Sequence, residues 1–469
     1  MFPGLTLAYW LTLHGLVTLL AVLIYVVTAH VLQQRRHPTA AIAWVLFILL
    51  VPYVALPTFL TFGSRKQARP RGQPLRLAPS APGDPEDERL WAVQTALAMG
   101  QGAPAEFDDL QLHADGRAAL QALWQVIDSA QHSIDLCSFI IGRDAVGQAL
   151  IARLCAKARA GVRVRLMIDG LGRLMNASPS LRPLIAAGGE VTRFVPPLHS
   201  PLKGRTNLRD HRKMVIADAH LANQRLWCGG RNLATEYFEG EPGLPAWHDL
   251  SFDVRGAVVE QAAALFAHDW AFANGGRVDT TREHPPHVVA PGRGAQLIAS
   301  GPDQSDDTLQ ALLLTAAYRA RSRIALITPY FVPDSALLMA LCMAARRGVE
   351  VDLLLPARSN HRLSDLARRR ALCALAGAGG RVWLAPQMLH AKLIVVDDVL
   401  ALAGSANLDS RSLFLNYELM MAFHEPAVVE RFAAWFETER ASAQRSLPKR
   451  PGLLGDMADG LVLWLGFQL

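Results

Sequence analysis

The sequence predicts an α/β protein with two similar halves that follow an N-terminal helical hairpin. Three observations predict this fold class. The first 34 of the 469 residues carry no Asp, Glu, Lys or Arg. From about residue 106, helical and strand-like segments alternate along the chain. One short motif of histidine, lysine and aspartate occurs twice, and internal repeats indicate duplicated structural units.

Residues 1–66 are expected to form two transmembrane helices. The run LTLAYWLTLHGLVTLLAVLIYVVTAHVL exceeds the roughly 20 apolar residues that span a bilayer. It lacks the basic start and cleavage site of a signal peptide. A second apolar run covers 40–63, where Pro52 and Pro57 should bend the helix. A pair of buried soluble helices is the alternative. The basic residues after the hairpin favour a cytoplasmic catalytic part: Arg65, Lys66, Arg69, Arg71 and Arg76.

Three further segments follow the hairpin. Residues 67–105 are interpreted as a linker, because QARPRGQPLRLAPSAPGDPEDE is rich in proline and charge. The first half is expected over 106–290, where GQALIARLCAKARAGVRVRLMIDGLG predicts a helix, a glycine stop and a buried strand. The second half with its C-terminal tail, 291–469, repeats this order in LLMALCMAARRGVEVDLLLP.

Composition narrows the class of protein. Hydrophobic residues make up 51% of the chain and charged residues 19%, which favours membrane association. The formal net charge of +6 suits an anionic partner, either lipid or nucleic acid. The five cysteines are scattered and form no C-x-x-C pair, so free thiols are expected rather than disulfides or a zinc site.

The duplicated motif is the strongest functional signal. The pattern H-x-K-x-x-x-x-D occurs as His211, Lys213 and Asp218, and again as His390, Lys392 and Asp397. Each copy is followed by two small residues and an asparagine, in WCGGRN and LAGSAN, which gives Asn232 and Asn407. In a strand the histidine and lysine point to the same face. An incidental strand-turn-strand would explain one copy, but not two.

Paired histidines and lysines suit the chemistry of a phosphodiester. The lysines and the asparagine amides can bind phosphate oxygens. One neutral imidazole can attack phosphorus, while a protonated one gives its proton to the leaving alkoxide. The lysines supply positive charge, so no metal and no cofactor is expected. The sequence also lacks H-E-x-x-H and a cysteine pair, the usual marks of a zinc site.

The two motifs resemble those of the phospholipase D superfamily over roughly residues 106–445. The resemblance implies two α/β halves packed around one shared active site, and a phosphohistidine intermediate. It implies that His211 is the nucleophile and His390 the general acid, although nothing in the local sequence separates these roles. It also implies that Asp249 in WHD and Glu418 in NYE orient the two imidazoles.

Within the superfamily, the chain is most similar to the bacterial cardiolipin synthases. This resemblance is carried by HPTAAIAWVLFILLVPYVALP, NLRDHRKMVIAD, TPYFVPD and GSANLDSRSLFLNYEL. The segment before the second motif departs from the group, because GAGGRVWLAPQMLHAK lacks the usual tyrosine. The sequence GGRN after the first motif and the C-terminal tail are departures as well.

The resemblance implies phosphatidyl transfer from one phosphatidylglycerol to another with release of glycerol. The expected partners are phosphatidylglycerol, other anionic phospholipids and the bilayer, with no nucleic acid. The expected location is the bacterial inner membrane, as a multi-pass protein. The sequence leaves the oligomeric state open. The alternatives are a phospholipase D hydrolase, a phosphatidylserine synthase, a nuclease of the same superfamily and a lipid-binding scaffold without activity.

Overall fold

The computed structural model describes residues 7–31, 38–62, 87–175, 178–195, 207–241, 243–276, 294–304, 307–449 and 452. Its N-terminal helices are α1 (Leu7–Val31), α2 (Pro38–Leu50) and α3 (Pro52–Phe62). The second apolar run is divided between α2 and α3, because Pro52 has no N–H to continue the helical hydrogen bonds. Pro57 lies inside α3.

The three N-terminal helices pack on one another around a small apolar cluster, which consists of Ala21, Tyr25, Ile48, Ala55 and Phe59. The transmembrane hairpin predicted over 1–66 is not confirmed. Within the described ranges, no helix is long and apolar enough to cross a membrane.

The linker predicted over 67–105 differs from the structure in its second part. Residues 67–86 lie outside the described residues, whereas α4 spans Asp87–Ala98. Trp91, Ala92 and Ala96 are buried and belong to the apolar core of the second half. The prediction missed this short helix because it directly follows the proline-rich segment.

The first half forms one mixed sheet flanked by helices. The strand order is β1-β8-β7-β6-β2-β3-β4, with β2, β3 and β4 parallel and the remaining neighbours antiparallel. A short 3₁₀ helix covers Thr235–Tyr237. The elements are β1 (Asp108–His113), α5 (Gly116–Ser129), β2 (Ser133–Ser138), α6 (Ala145–Arg159), β3 (Arg163–Asp169), α7 (Gly170–Met175), α8 (Arg182–Ala186), β4 (Glu190–Phe194), β5 (Arg209–Asp210), β6 (Met214–Ala217), β7 (Arg225–Gly229), β8 (Ser251–Arg255) and α9 (Val258–Ala273).

The second half repeats this plan. Its sheet has the order β18-β13-β12-β10-β14-β15-β17-β5, and β9 also pairs with β17. The strands β11 and β16 form a separate parallel pair. The elements are β9 (Ala295–Ser300), α10 (Thr308–Arg319), β10 (Arg323–Ile327), β11 (Phe331–Val332), α11 (Ser335–Arg346), β12 (Glu350–Pro356), α12 (Arg362–Gly377), β13 (Arg381–Ala385), β14 (Leu393–Val396), β15 (Leu400–Gly404), β16 (Leu408–Asp409), α13 (Ser410–Phe414), β17 (Asn416–Phe423), α14 (Pro426–Ala441) and β18 (Gln444–Ser446).

The helix-glycine-strand order predicted in both halves is confirmed. Asp144 caps the start of α6 and Asp334 caps the start of α11, each by accepting a backbone N–H. Gly161 and Gly348 follow these two helices with φ of 88° and 92°, a left-handed conformation that favours glycine. Two α/β halves are therefore present. The predicted boundary at residue 290 lies outside the described residues.

The two halves exchange backbone pairing at their interface. β5 belongs to the first half by sequence but pairs in parallel with β17, with Arg209 opposite Asn416. A matching parallel bridge joins His248 of the first half to Leu389 of the second. One apolar core spans the interface and includes Phe252 from the first half and Phe423 from the second. Each histidine motif therefore lies next to backbone of the opposite half.

Candidate active site

The two histidines enter the site by equivalent backbone contacts. His211 donates its backbone N–H to the carbonyl of Tyr417 at 2.9 Å, and His390 donates to the carbonyl of His248 at 2.6 Å. Both contacts cross from one half to the other. They fix the histidines just before β6 and β14, where the strand pairing of each half begins.

Each imidazole is oriented by a carboxylate of the opposite half. His211 Nδ1 lies 3.0 Å from Glu418 Oε2, and His390 Nδ1 lies 2.7 Å from Asp249 Oδ2. Both carboxylates are fully buried. Because a carboxylate can only accept, Nδ1 carries the proton in both rings, and Nε2 is left for chemistry. The structure therefore brings Asp249 and Glu418 to the histidines in a crossed arrangement.

One small residue after each motif lies next to one of these two carboxylates. Ser405 Oγ donates to Glu418 Oε2 at 2.6 Å, and Asn416 Nδ2 lies 3.3 Å from Glu418 Oε1. Gly230 occupies the position equivalent to Ser405, and a Cβ there would lie 2.2 Å from Asp249 Oδ1. The repeated small pair thus makes room for the carboxylate in one half and adds a hydrogen bond in the other.

The two lysines follow the histidines by two residues and are almost fully buried. Lys213 Nζ donates to the carbonyl of His211 at 2.6 Å. Lys392 Nζ contacts the carbonyl of His390 and lies 2.8 Å from Nδ1 and 3.1 Å from Nε2 of that ring. Burial lowers the pKa of Lys213 to about 8 and that of Lys392 to about 7, against the attraction of Glu418 and Asp249.

Burial also keeps the imidazoles neutral. Burial lowers the pKa of His211, and Glu418 opposes this shift. Burial and the charge of Lys392 together lower the pKa of His390 to about 3. A neutral His211 is a competent nucleophile at neutral pH, whereas His390 must gain a proton before it can act as an acid. A bound phosphate anion would favour that protonation.

The two asparagines of the motifs are buried polar groups with spare hydrogen-bonding capacity. Asn232 Nδ2 lies 2.8 Å from Tyr237 Oη. In the described part of the chain, the Oδ1 atoms of Asn232 and Asn407 have no hydrogen-bond partner. Buried acceptors without partners are rare in proteins, so these two oxygens suit a ligand group that donates a hydrogen bond.

Aromatic rings line both sides of the histidine pair. The ring of Phe139 lies 5.2 Å from that of His211, and the ring of Tyr237 lies 5.1 Å from that of His390. Trp247 lies 5.6 Å from His390. The sequence reasoning missed these rings and Ser405. A residue-by-residue alignment of the two repeats would have found Ser405, because it pairs with Gly230.

The structure does not bring Asp218 and Asp397 to the histidines. They lie at the far ends of β6 and β14, with φ of 52° and 50°. Asp218 accepts the backbone N–H groups of the segment before β2, at 2.7–2.9 Å: Gln131, His132 and Ser133. Asp397 binds the segment before β10 in the same way: Arg321, Ser322 and Arg323. Both carboxylates hold strand ends together.

Another group of potential metal ligands lies in the described part of the chain. One ligand atom from each of His268, Asp269 and Asp303 lies within 4.8 Å of the others. Asp269 forms a buried ion pair with Arg212, which already balances its charge. Among the described residues, no hydrogen bond joins this cluster to His211 or His390.

Two family models match the chain. The model described as cardiolipin synthase, PLD-like domain, matches residues 123–270 and 313–440. The model described as phospholipase D-nuclease N-terminal matches residues 19–64. The first model covers both halves and both motifs, and the second covers part of the N-terminal helices.

Curated relatives match over nearly the whole chain. Cardiolipin synthase A of Klebsiella pneumoniae is 32% identical, over 96% of this chain and 92% of that protein. Cardiolipin synthase 1 of Bacillus anthracis is 29% identical, over 89% of this chain and 88% of that protein.

Two solved structures share the fold. A phosphatidylserine synthase of Haemophilus influenzae superposes with a TM-score of 0.63 at 13% identity, over 81% of this chain and 100% of that one. A polyphosphate kinase of Porphyromonas gingivalis gives a TM-score of 0.50 at 13% identity, over 76% and 53% of the two chains. At such low identity these likenesses concern the fold alone.

Proposed function

Because the chain belongs to the phospholipase D-like cardiolipin synthases and is a phosphatidyltransferase, we propose that it joins two molecules of phosphatidylglycerol through a phosphatidyl-histidine intermediate. One phosphatidylglycerol donates its phosphatidyl group and releases glycerol. The second accepts that group on its terminal hydroxyl and becomes cardiolipin. One phosphodiester replaces another, so no nucleotide is consumed.

In the first step, His211 Nε2 attacks the phosphorus of the donor. The bond between phosphorus and the glycerol oxygen breaks, and that oxygen takes a proton from His390. Glu418 supports this role of His211 through the bond at 3.0 Å to Nδ1, which aims Nε2 away from the carboxylate. Asp249 supports His390 in the same way at 2.7 Å.

In the second step, the neutral His390 takes the proton of the acceptor hydroxyl. The acceptor oxygen attacks phosphorus, and the bond between phosphorus and His211 breaks. The two steps mirror each other, so the acid of the first becomes the base of the second. We assign the Nζ atoms of Lys213 and Lys392 and the Nδ2 atoms of Asn232 and Asn407 to the phosphate oxygens, since these donors belong to buried residues of the two motifs.

The crossed carboxylate–histidine pairs carry this proposal. Two imidazoles, each fixed through Nδ1 by a buried carboxylate, match the needs of a nucleophile and a general acid in one reaction. We assign Asp218 and Asp397 a positioning role, because their oxygens bind backbone N–H groups at the far strand ends.

We also propose that the N-terminal helices bind the bacterial inner membrane. Large apolar side chains of these helices are more than half exposed, a pattern that marks interaction surfaces: Leu16, Leu19, Leu23, Ile42, Leu46, Leu50 and Val54. The proposed arrangement is multi-pass, with the catalytic part on the cytoplasmic side, where basic residues concentrate.

Reversal by glycerol tests the transferase reaction. The donor bond and the product bond are of the same kind, so the phosphatidyl-histidine can be reached from cardiolipin. Incubation of the purified protein with cardiolipin and rising glycerol should yield rising phosphatidylglycerol. A hydrolase would instead accumulate phosphatidic acid whatever the glycerol level, and that result would replace the proposal with the phospholipase D alternative.

A further inference from the structure

A buried arginine precedes the proposed nucleophile by two residues in an extended segment. Arg209 precedes His211 by two residues, and successive side chains of an extended segment alternate between faces. The two side chains are therefore separated by about 6.6 Å along the chain. The pairing of β5 with β17 places Arg209 opposite Asn416, two residues before Glu418.

A second arginine lies next to the first. Arg411 lies at the start of α13. Its guanidinium donates to the side-chain oxygen of Asn207 at 3.3 Å and to the carbonyl of Asn207 at 3.1 Å. Burial and the neighbouring Arg209 guanidinium lower the pKa of Arg411. Arg411 therefore contacts the segment that carries Arg209, and the two guanidinium groups lie in the same region.

One donor of Arg209 lacks a hydrogen-bond acceptor among the described residues. Arg209 is 8% exposed, and its Nε has no partner in the described residues. Arg209 Nη1 donates to the carbonyl of Leu208, and the carboxylate of Asp169 attracts the guanidinium, but both carboxylates nearby accept hydrogen bonds from backbone N–H groups. Asp169 accepts from Leu171 and Asp210, both within 2.9 Å, and Asp409 accepts from Ser412. A buried donor without an acceptor is costly, which points to an anionic ligand.

The equivalent positions of the other repeat carry no such charge. Alignment of the motifs pairs Arg209 with Met388 and Arg411 with Glu236. Asn416 likewise pairs with Trp247, whose ring lies beside His390. The histidines, lysines and asparagines are duplicated, but the two arginines occur only on the His211 side. A two-fold symmetric pair of groups is enough for the transferred phosphate, so the one-sided charge serves something else.

We propose that Arg209 and Arg411 bind the phosphodiester of the acceptor lipid. This inference rests on the proposed transfer between two phosphatidylglycerol molecules. The hydroxyl of that acceptor is joined to its own phosphate by a three-carbon glycerol unit. When the hydroxyl reaches phosphorus on His211, the second phosphate must lie a short distance to one side. A strand step of about 6.6 Å toward Arg209 matches the length of that bridge, and guanidinium groups bind phosphate by paired hydrogen bonds.

Such a subsite selects the acceptor. Phosphatidylglycerol brings a charge that the arginines can pair with, whereas water, free glycerol and serine bring no phosphate. The subsite would therefore favour formation of cardiolipin over hydrolysis and over exchange of the headgroup.

The test compares two reactions of the full-length protein. Exchange of labelled glycerol into phosphatidylglycerol uses one phosphate, whereas cardiolipin synthesis uses two. We expect Arg411→Gln and Arg209→Gln to lower the ratio of cardiolipin to exchanged phosphatidylglycerol by about 10- to 100-fold, mainly through the KM of the acceptor. Arg411→Lys should recover part of the loss. Glycerophosphoglycerol, which carries the headgroup without acyl chains, should lose as much as the lipid acceptor.

The exchange reaction also controls for folding. The matched control is Arg368→Gln, because Arg368 is 5% exposed and donates to the carbonyls of Pro356 and Ala357, yet belongs to neither motif. It should leave the product ratio unchanged. Equal loss of both reactions in the Arg209 and Arg411 variants would assign these residues to the donor phosphate or to folding and overturn the inference. Absence of exchange in the unmodified protein would instead refute the proposed transferase reaction.

Discussion

The protonation states of the site residues are linked by charge. Two lysine cations face the buried carboxylates of Asp249 and Glu418, and a phosphodiester adds one negative charge. Uptake of one proton by His390 restores the balance and supplies the general acid. Binding of the donor and preparation of the acid are thus one event in the proposed mechanism.

Activity should fall on the alkaline side because of the lysines. A lysine is a cation below its pKa, and burial lowers the pKa of Lys213 to about 8 and of Lys392 to about 7. Raising the pH through this range removes charge from the phosphate site. We expect kcat/KM for phosphatidylglycerol to decline from about pH 7 upward, with the KM rising, in initial rates measured in neutral micelles. A flat profile up to about pH 10, where free lysine titrates, would contradict this role.

Individual candidate residues could be predicted to different degrees. His211 and His390 belong to a motif that occurs twice, so the sequence alone predicted them as candidates. The pairing of each histidine with an acid of the opposite half depends on contacts across the interface, which no local pattern contains. The bond of Ser405 to Glu418 lies within the second half and depends on the pairing of β15 with β17, which the sequence does not show directly.

At the scale of elements, β6 has candidate catalytic residues before its first residue and structural hydrogen bonds after its last. Asp218 joins the end of β6 to the backbone before β2 through three N–H groups. Hydrogen bonds to a charged group contribute about 1.5–3 kcal/mol each. We expect Asp218→Asn to destabilise the fold by about 2–4 kcal/mol, seen as a lower melting temperature, while folded protein keeps a near-normal kcat.

An exposed aspartate provides the control for this prediction. Asp128 pairs with Arg153 on the surface, with 49% of its side chain exposed, so Asp128→Asn should change stability little. A stable Asp218→Asn protein with a kcat reduced as strongly as that of a histidine variant would show that Asp218 takes part in the chemistry.

The exposed apolar face of α1 should determine membrane binding. Leu19 and Leu23 are 68% and 57% exposed. Replacing both with lysine adds two charges to the proposed lipid contact, so flotation with phosphatidylglycerol vesicles should fall severalfold. Leu244→Lys is the control, because Leu244 is 63% exposed in the catalytic part. Unchanged flotation of the double variant would argue against a membrane role for α1.

The order of elements was easier to predict than their pairing. Periodicity and glycine stops predicted α6, β3, α11 and β12, because these signals are local. The pairing of β5 with β17 was not predicted, since β5 is two residues long and its partner lies in the other half. Helix α4 was read as linker because it follows a proline-rich segment.

At the scale of the whole molecule, the candidate site requires both halves. Glu418 of the second half orients His211, and Asp249 of the first half orients His390. Arg212 adds a buried connection, since it donates to the carbonyls of Glu418 and Ser300 and pairs with Asp269. Relative movement of the halves would therefore misalign both imidazoles together.

Turnover should survive removal of metal ions. The lysines supply positive charge at the phosphate, and the cluster of His268, Asp269 and Asp303 is joined to Arg212 rather than to a histidine of the motifs. We expect EDTA to leave most cardiolipin formation intact and His268→Ala to be active. Partial stimulation by divalent cations would reflect screening of anionic headgroups. Complete loss in EDTA that added metal reverses would reveal a catalytic ion.

The division of labour between the histidines is most directly tested by trapping the intermediate. The p-nitrophenyl ester of phosphatidic acid has a leaving group that departs without a proton, so the first step needs the nucleophile but no general acid. In His390→Ala, the second step then lacks its base and the intermediate should persist. The controls are His211→Ala and the unmodified protein. Ordinary cardiolipin synthesis should fall about a thousandfold or more in either histidine variant.

The measurement is rapid mixing of His390→Ala with this ester, followed by mass spectrometry of its peptides. The proposed mechanism predicts a burst of one p-nitrophenolate per active site, a phosphatidyl group on the peptide that contains His211, and neither signal in His211→Ala. A burst and an adduct in His211→Ala, with the phosphatidyl group on His390, would reverse the two roles. The absence of any adduct in both variants would contradict covalent catalysis by histidine.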